Sequence, residues 1–171
     1  MTVRPARASD LPEVMKIVSR AREEYFEKNG IPQWQGGYPS RELFEEDLEK
    51  ERLFVLVQGE NIIGMVVVCF EHEKCYDVIE DGAWADDKDE YAVVHRIAVS
   101  PDFHGMGLGG ALVKLADKLC EQRGVRYARS DTHEMNLAMR HTLEKCGYVR
   151  RGIIHIEDGS PRVAYEKEMK I

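Results

Sequence analysis

Apolar residues recur along this chain with two different periods, and the switches between them predict its elements. Thr2 to Ala6 reads as a short strand, after which Leu11, Val14, Ile17 and Val18 fall at helical spacing. Ser9 and Asp10 stand where caps are expected and Pro12 in the first turn, so a helix runs to about Phe26. Residues 29–40 (NGIPQWQGGYPS) are rich in Gly, Pro and aromatics and form a structured loop. Ser40 caps a second helix over RELFEEDLEK, and two apolar runs, Leu53 to Gln58 and Ile62 to Phe70, flank a turn and make a hairpin. Tyr91 to Val99 is a fourth strand, Leu108 to Arg123 a helix closed by Gly124, and Arg126 to Asp131 a fifth strand. Asn136 to Cys146 is a last helix closed by Gly147, and Tyr148 to Ile156 with Arg162 to Lys167 a final hairpin.

The resulting order is βααβββαβαββ. A strand, crossover helix and strand near the end imply a parallel pair inside a mixed, mostly antiparallel sheet of about seven strands, with helices on both faces. No repeat, linker or low-complexity segment divides the 171 residues, so one α/β domain over 1–171 is expected.

Charge narrows the partners. Acidic residues outnumber basic ones by 31 to 24, for a net charge of −7, which argues against a nucleic-acid ligand. Residues 71–90 hold nine carboxylates against two lysines, either a solvated acidic loop or a rim that draws in a cationic substrate. No apolar run approaches the roughly 20 residues that cross a bilayer, and the N-terminus lacks a signal-like stretch, so no membrane partner and a cytoplasmic location are expected. Cys69, Cys75, Cys120 and Cys146 show no metal-binding spacing; reduced thiols and no metal site are expected.

The chemistry concentrates between the fourth strand and its helix, where SPDFHGMGLGG turns glycine-rich as a helix must begin. Glycines there let successive backbone N–H groups converge without Cβ obstruction, and the helix dipole adds positive potential, so the loop is an anion cradle suited to a pyrophosphate. Gly105, Gly107 and Gly110 also fit the dinucleotide fingerprint, with Asp131 about 20 residues on. Five residues intervene between strand and first glycine, however, which weakens that match; a Walker loop is excluded because no Gly-Lys-Ser/Thr follows.

The run RIAVSPDFHGMGLG resembles the acetyl-CoA loop of the GNAT family of N-acetyltransferases, whose pattern is Gln/Arg-x-x-Gly-x-Gly/Ala after an apolar strand ending in Ala-Val. His104 stands where Gln or Arg is usual. The opening VRPARASDL, Asn136 after the fifth strand, and Cys146-Gly147-Tyr148 extend the resemblance over nearly the whole chain.

The resemblance implies an acyltransferase that moves acetyl from acetyl-CoA directly to a primary amine of a small molecule or peptide, a cationic one included, with room for a homodimer. It places the backbones of Ile97, Ala98 and Val99 on the pantetheine arm, His104, Gly105, Met106, Gly107, Leu108 and Gly109 around the pyrophosphate, and the Asn136 side chain near the reacting centre. Many relatives carry a tyrosine acid seven residues after the asparagine; here that position is Leu143. His141 is no replacement, because two helical residues turn it about 200° away. An amine near pKa 10.4 needs a base at neutral pH. Asp131, at the end of the fifth strand, is the first candidate, and His95, on the strand face of Val93, Ile97 and Val99, is the second. Trp34, Tyr38 and Trp84 are expected to wall the acceptor pocket. Two other readings stay open: a CoA-binding module without turnover, which Leu143 motivates, and a dinucleotide-dependent oxidoreductase.

Overall fold

A computed structural model describes residues 1–87 and 90–170; Lys88 and Asp89, inside the acidic stretch, lie outside the described residues. Eleven regular elements follow the expected order: β1 (Thr2–Pro5), α1 (Leu11–Ala21), α2 (Arg41–Glu49), β2 (Leu53–Gln58), β3 (Asn61–Cys69), β4 (Tyr91–Val99), α3 (Leu108–Arg123), β5 (Tyr127–Thr132), α4 (Leu137–Lys145), β6 (Val149–His155) and β7 (Pro161–Glu168). The strands form one sheet in the order β1-β2-β3-β4-β5-β7-β6. β4 and β5 run parallel, whereas β1/β2, β2/β3, β5/β7 and β6/β7 are antiparallel. The chain divides into two compact units, Met1–Val68 with Arg96–Leu112, and Cys69–His95 with the residues from Val113 on. β4 and α3 each pass through both, and no change of composition marks either crossing.

In the first unit, the helical stripe of Leu11, Val14, Ile17 and Val18 is buried with Phe44 of α2 and Val55, Met65 and Val67 of the hairpin. The Ser40 hydroxyl caps α2 by accepting the Leu43 N–H at 3.2 Å. Asp10 behaves differently from a simple cap of α1. Its carboxylate accepts from the Arg7 N–H at 2.7 Å and takes both Nη atoms of Arg4, which ties β1 to the start of the helix. Beyond Ala21 the helix widens into a π-helical turn, Arg22–Glu27.

In the second unit the acidic stretch departs from a plain solvated loop. Glu80 exchanges both backbone hydrogen bonds with Ile153 of β6 at 2.8 Å. A Cβ on Gly82 would lie 1.8 Å from the Arg151 carbonyl oxygen, so only glycine allows this approach. The Ala85 N–H donates to Glu166, and Arg129 donates to the Asp86 carbonyl while its guanidinium lies 4.2 Å from the Trp84 ring and 4.0 Å from the Tyr91 ring. The stretch is a strap fastened to β5, β6 and β7, and its carboxylates ride on that strap. Glu166 is fully buried but takes Arg129, Arg151 and the Ala85 N–H together, which compensates its charge.

Candidate active site

Regular alternation would carry the side chains of β4 in step from Tyr91 to Val99. Arg96 is the irregular point, with φ +46° in the middle of the strand. After it come Ile97 and Val99, half-buried, with Ala98 buried between them. Gly64 of β3 allows the approach of this end of β4, since a Cβ there would sit 3.1 Å from the Ala98 carbonyl oxygen.

The segment leading into the glycine loop is pinned from several sides. The Ser100 N–H donates to the Ile63 carbonyl at 2.8 Å, and Arg20 of α1 grips Asp102 with two bonds of 2.7 and 3.0 Å. His104 Nε2–H donates to the Val99 carbonyl at 3.1 Å, a tautomer assigned from its partner, which can only accept. Gly105 and Gly107 then adopt φ +80° and +73°, with nothing within 4 Å of where a Cβ would stand. Met106 between them is exposed. α3 begins at Leu108, and the Gly110 N–H closes its first turn onto Gly107. The loop is thus an open, left-handed glycine arc on a braced base, opening a four-turn helix, and it fits a pyrophosphate.

The second unit assembles the candidate base. The parallel register of β4 with β5 spans only Tyr91/Tyr127 to Val93/Arg129, and β5 continues to Thr132 along β7. Asp131 lies on that continuation, half-buried, and accepts a 2.7 Å hydrogen bond at Oδ2 from the hydroxyl of Tyr76. Burial raises the Asp131 carboxyl above its ordinary range; the His95 charge, the Tyr76 hydrogen bond and Arg162 oppose the rise, and Glu73 adds to it. His95 Nε2 stands 3.3 Å from Glu73 Oε2, and this contact holds the Glu73 carboxyl low. The Cys75 thiol donates to Glu73 Oε1, and burial with the Glu73 charge pushes its proton affinity up, so it offers no thiolate nucleophile. Burial and Asp131 likewise keep Tyr76 protonated. Glu73 and Tyr76 escape sequence reasoning, because they belong to the acidic strap and only its folding brings Glu73 to His95 of β4 and Tyr76 to Asp131 of β5.

The other expected site residues have definite places. Asn136 is buried and caps α4, its Oδ1 accepting the Met139 N–H at 3.3 Å. Leu143 is fully buried. Trp34 packs on Phe26 in the core of the first unit, 5.2 Å between ring centroids, and lines a cleft of about 560 Å³ with Arg22, Glu27 and Ile31. Tyr38 is exposed, with its carbonyl on Arg22 and its hydroxyl 3.4 Å from Arg96 Nη1. Trp84 packs at a tilt against the Tyr76 ring and donates its Nε1–H to the Tyr76 carbonyl at 2.9 Å, so it braces the residue that holds Asp131. Among the described residues no group of three His, Cys, Asp or Glu side chains is placed to hold a metal ion, and no helix is long and apolar enough to cross a membrane.

Residues 14–148 match the family described as Acetyltransferase (GNAT), and the chain belongs to that family. A GNAT-family acetyltransferase from Streptococcus agalactiae 2603 is 32% identical and superposes with a TM-score of 0.90, over 99% of this chain and 96% of its own. One from Listeria monocytogenes 4b F2365 is 22% identical at TM-score 0.74, covering 98% of this chain and 94% of its own. The ribosomal-protein-S18-alanine N-acetyltransferase of Escherichia coli shares the fold at 21% identity and TM-score 0.68, covering 99% and 94%. No curated protein matches the sequence. The family and fold are those of acetyl transfer, with acetyl-CoA as the family's acyl donor.

Proposed function

We propose that this protein transfers an acetyl group from acetyl-CoA directly to the primary amine of a small molecule or peptide, with Asp131 as the proton acceptor. The observation that carries the reading is the setting of Asp131: a half-buried carboxylate fixed by Tyr76 at one oxygen, with its proton affinity raised by burial. The thioester supplies an activated acyl carbon. The chain's part is to hold the donor by the backbone of Ile97–Val99 and the Gly105–Gly107 arc, and to take the proton that an ammonium must lose before nitrogen can attack. The forming oxyanion needs a fixed N–H, which the end of β4 beyond Arg96 can offer. Leu143 leaves the departing thiolate to water, tolerable because a thiol with pKa near 8.5 is a fair leaving group.

A cationic acceptor suits the carboxylates of the strap, and a peptide acceptor has a parallel in the Escherichia coli protein, whose name describes alanine N-acetylation. Release of free thiol from acetyl-CoA across a panel of alkylamines and short peptides tests the activity. Asp131→Asn keeps the size and accepts from Tyr76 but removes the basic site, so turnover should fall by about 10²- to 10⁴-fold with acetyl-CoA affinity little changed. His95→Gln should act weakly. A silent Asp131→Asn beside a His95→Gln that abolishes the acidic limb of the pH profile would exchange their roles. Thiol release absent with every amine, in a protein that still binds CoA, would leave a binding module.

A further inference from the structure

The left-handed residue of β4 is held by a buried ion cluster that the reaction chemistry does not itself require. Asp47 of α2 has no solvent exposure, and its carboxylate takes Arg96 at both oxygens, Nη2 to Oδ1 at 2.8 Å and Nε to Oδ2 at 3.0 Å. Arg52 Nε donates to the same Oδ1 and reaches Glu46 with Nη2. The third Arg96 nitrogen, Nη1, lies 3.4 Å from the Tyr38 hydroxyl, in a loop that Arg22 fastens through the Trp34 and Tyr38 carbonyls. One guanidinium thus joins α2, the aromatic loop and β4.

The backbone of Arg96 gives this cluster its meaning. A non-glycine residue at φ +46° is strained and persists only where its surroundings over-determine it. Such strain clusters where a backbone must be aimed. A carboxylate with two fixed acceptors suits the planar fork of arginine and constrains both its position and its plane. The residues next along β4 are Ile97, Ala98 and Val99.

We propose that Asp47 and Arg96 are positioning residues for acetyl transfer: their fork-to-carboxylate pair holds the left-handed turn of β4 and thereby sets the direction of the Ile97 and Val99 backbone groups. The proposal rests on the reading that these backbone groups bind the acyl donor. Neither side chain needs to touch substrate. The pair is a latch on backbone geometry, and its loss misaims the donor rather than releasing it, because the glycine arc still holds the pyrophosphate.

Glycine makes the test specific, since it alone adopts the left-handed conformation without cost. Arg96→Ala removes the latch and penalises the turn, and kcat should fall by about 10²-fold, the scale of a misplacement of roughly 1 Å. Arg96→Gly also removes the latch but lifts the penalty, so it should retain at least about tenfold more turnover than Arg96→Ala. Calorimetric CoA affinity should stay within about threefold of the parent in both, which separates positioning from binding. Arg96→Lys keeps the charge without the fork and should resemble Arg96→Ala, which carries the comparison with Arg96→Gly if the alanine variant does not fold. Equal losses in Arg96→Gly and the other two variants would overturn the proposal, as would Arg96→Ala within about threefold of the parent. The underlying reading is checked apart from this, by the backbone amide resonances of Ile97 and Val99 in the parent protein during titration with CoA. Unmoved amides remove that reading; moved amides with equal Gly and Ala losses remove only the latch.

Discussion

A carboxylate can accept an amine's proton only while ionised, so whatever sets the Asp131 proton affinity sets the acidic limb of the pH–rate profile. The Tyr76 hydrogen bond stabilises the charged form and lowers that affinity, against a rise caused by burial. In Tyr76→Phe the opposing contribution disappears, the Asp131 pKa rises further, and the acidic limb of kcat/KM should move to higher pH while the high-pH plateau is nearly kept. A plateau collapse with an unmoved limb would show that Tyr76 only shapes the pocket. Linkage carries the opposite sign for stability. With a folded pKa above the unfolded one, Asp131 favours folding below the unfolded carboxylate range, and that contribution is lost as pH rises through the folded value. Leu143 is a second residue whose setting decides an outcome. A tyrosine there would restore the acid of many relatives, but Leu143 is fully buried, and overpacking costs about 1–3 kcal/mol. Leu143→Tyr should therefore lower the melting temperature without raising turnover; a faster enzyme of unchanged stability would show that this helix face opens to the donor. Residue type and strand position, on β5 for Asp131 and on β4 for His95, were enough to single out the two as candidates from the sequence. Tyr76, Glu73 and Asp47 were not legible, because their roles depend on segments far apart in the chain, and Arg96 was hidden because no local pattern announces a left-handed residue in a strand.

Element by element, the apolar periods carried most of the information. The stripe Leu11, Val14, Ile17 and Val18 is buried as its spacing requires, and the turn residues fall where strands and helices end. The strap was the opaque part. Its composition says only that it is acidic, whereas its fastening relies on Gly82 against Arg151, Gly152 against Glu80, and the guanidinium of Arg129 between Trp84 and Tyr91. Those contacts are tertiary and leave no periodic trace. They also make a prediction that belongs to the strap as a unit. A side chain at Gly82 must push away the Arg151 carbonyl and disfavours φ +154°, so Gly82→Val should part Glu80 from Ile153. Amide exchange at Glu80 and Ile153 should accelerate, with exchange along the β1/β2 ladder unchanged. Because Trp84 braces Tyr76, the acidic limb should shift as in Tyr76→Phe. Fast exchange with an unaltered pH profile would separate the strap from the base and confine its role to stability.

At the scale of the whole molecule, charge and ligand chemistry oppose each other. The protein carries −7 and the expected donor is itself a polyanion, so net charge does not bring them together. At physiological ionic strength charges farther apart than about 8 Å are largely screened, which leaves the decision to short-range donors. On the proposed reading the backbone N–H groups of the Gly105–Gly107 arc and of the start of α3 are the donors, and they are uncharged. A ligand held this way binds the folded state alone, and at a hundred times its dissociation constant it should add about 2.7 kcal/mol to the stability of the native protein. For a chain of this length that is a rise in melting temperature of about 5–10 °C. CoA and acetyl-CoA should both produce the rise, and pantetheine, which lacks the pyrophosphate, should produce little. Gly107→Val supplies the internal control. No atom lies within 4 Å of the new Cβ, so the unliganded protein should lose only the cost of the left-handed conformation at φ +73°, while the arc is reshaped and the CoA-dependent rise disappears. A full rise in that variant would place the pyrophosphate elsewhere, and a rise with NADH but none with CoA would overturn the acyl-donor reading for this chain as a whole.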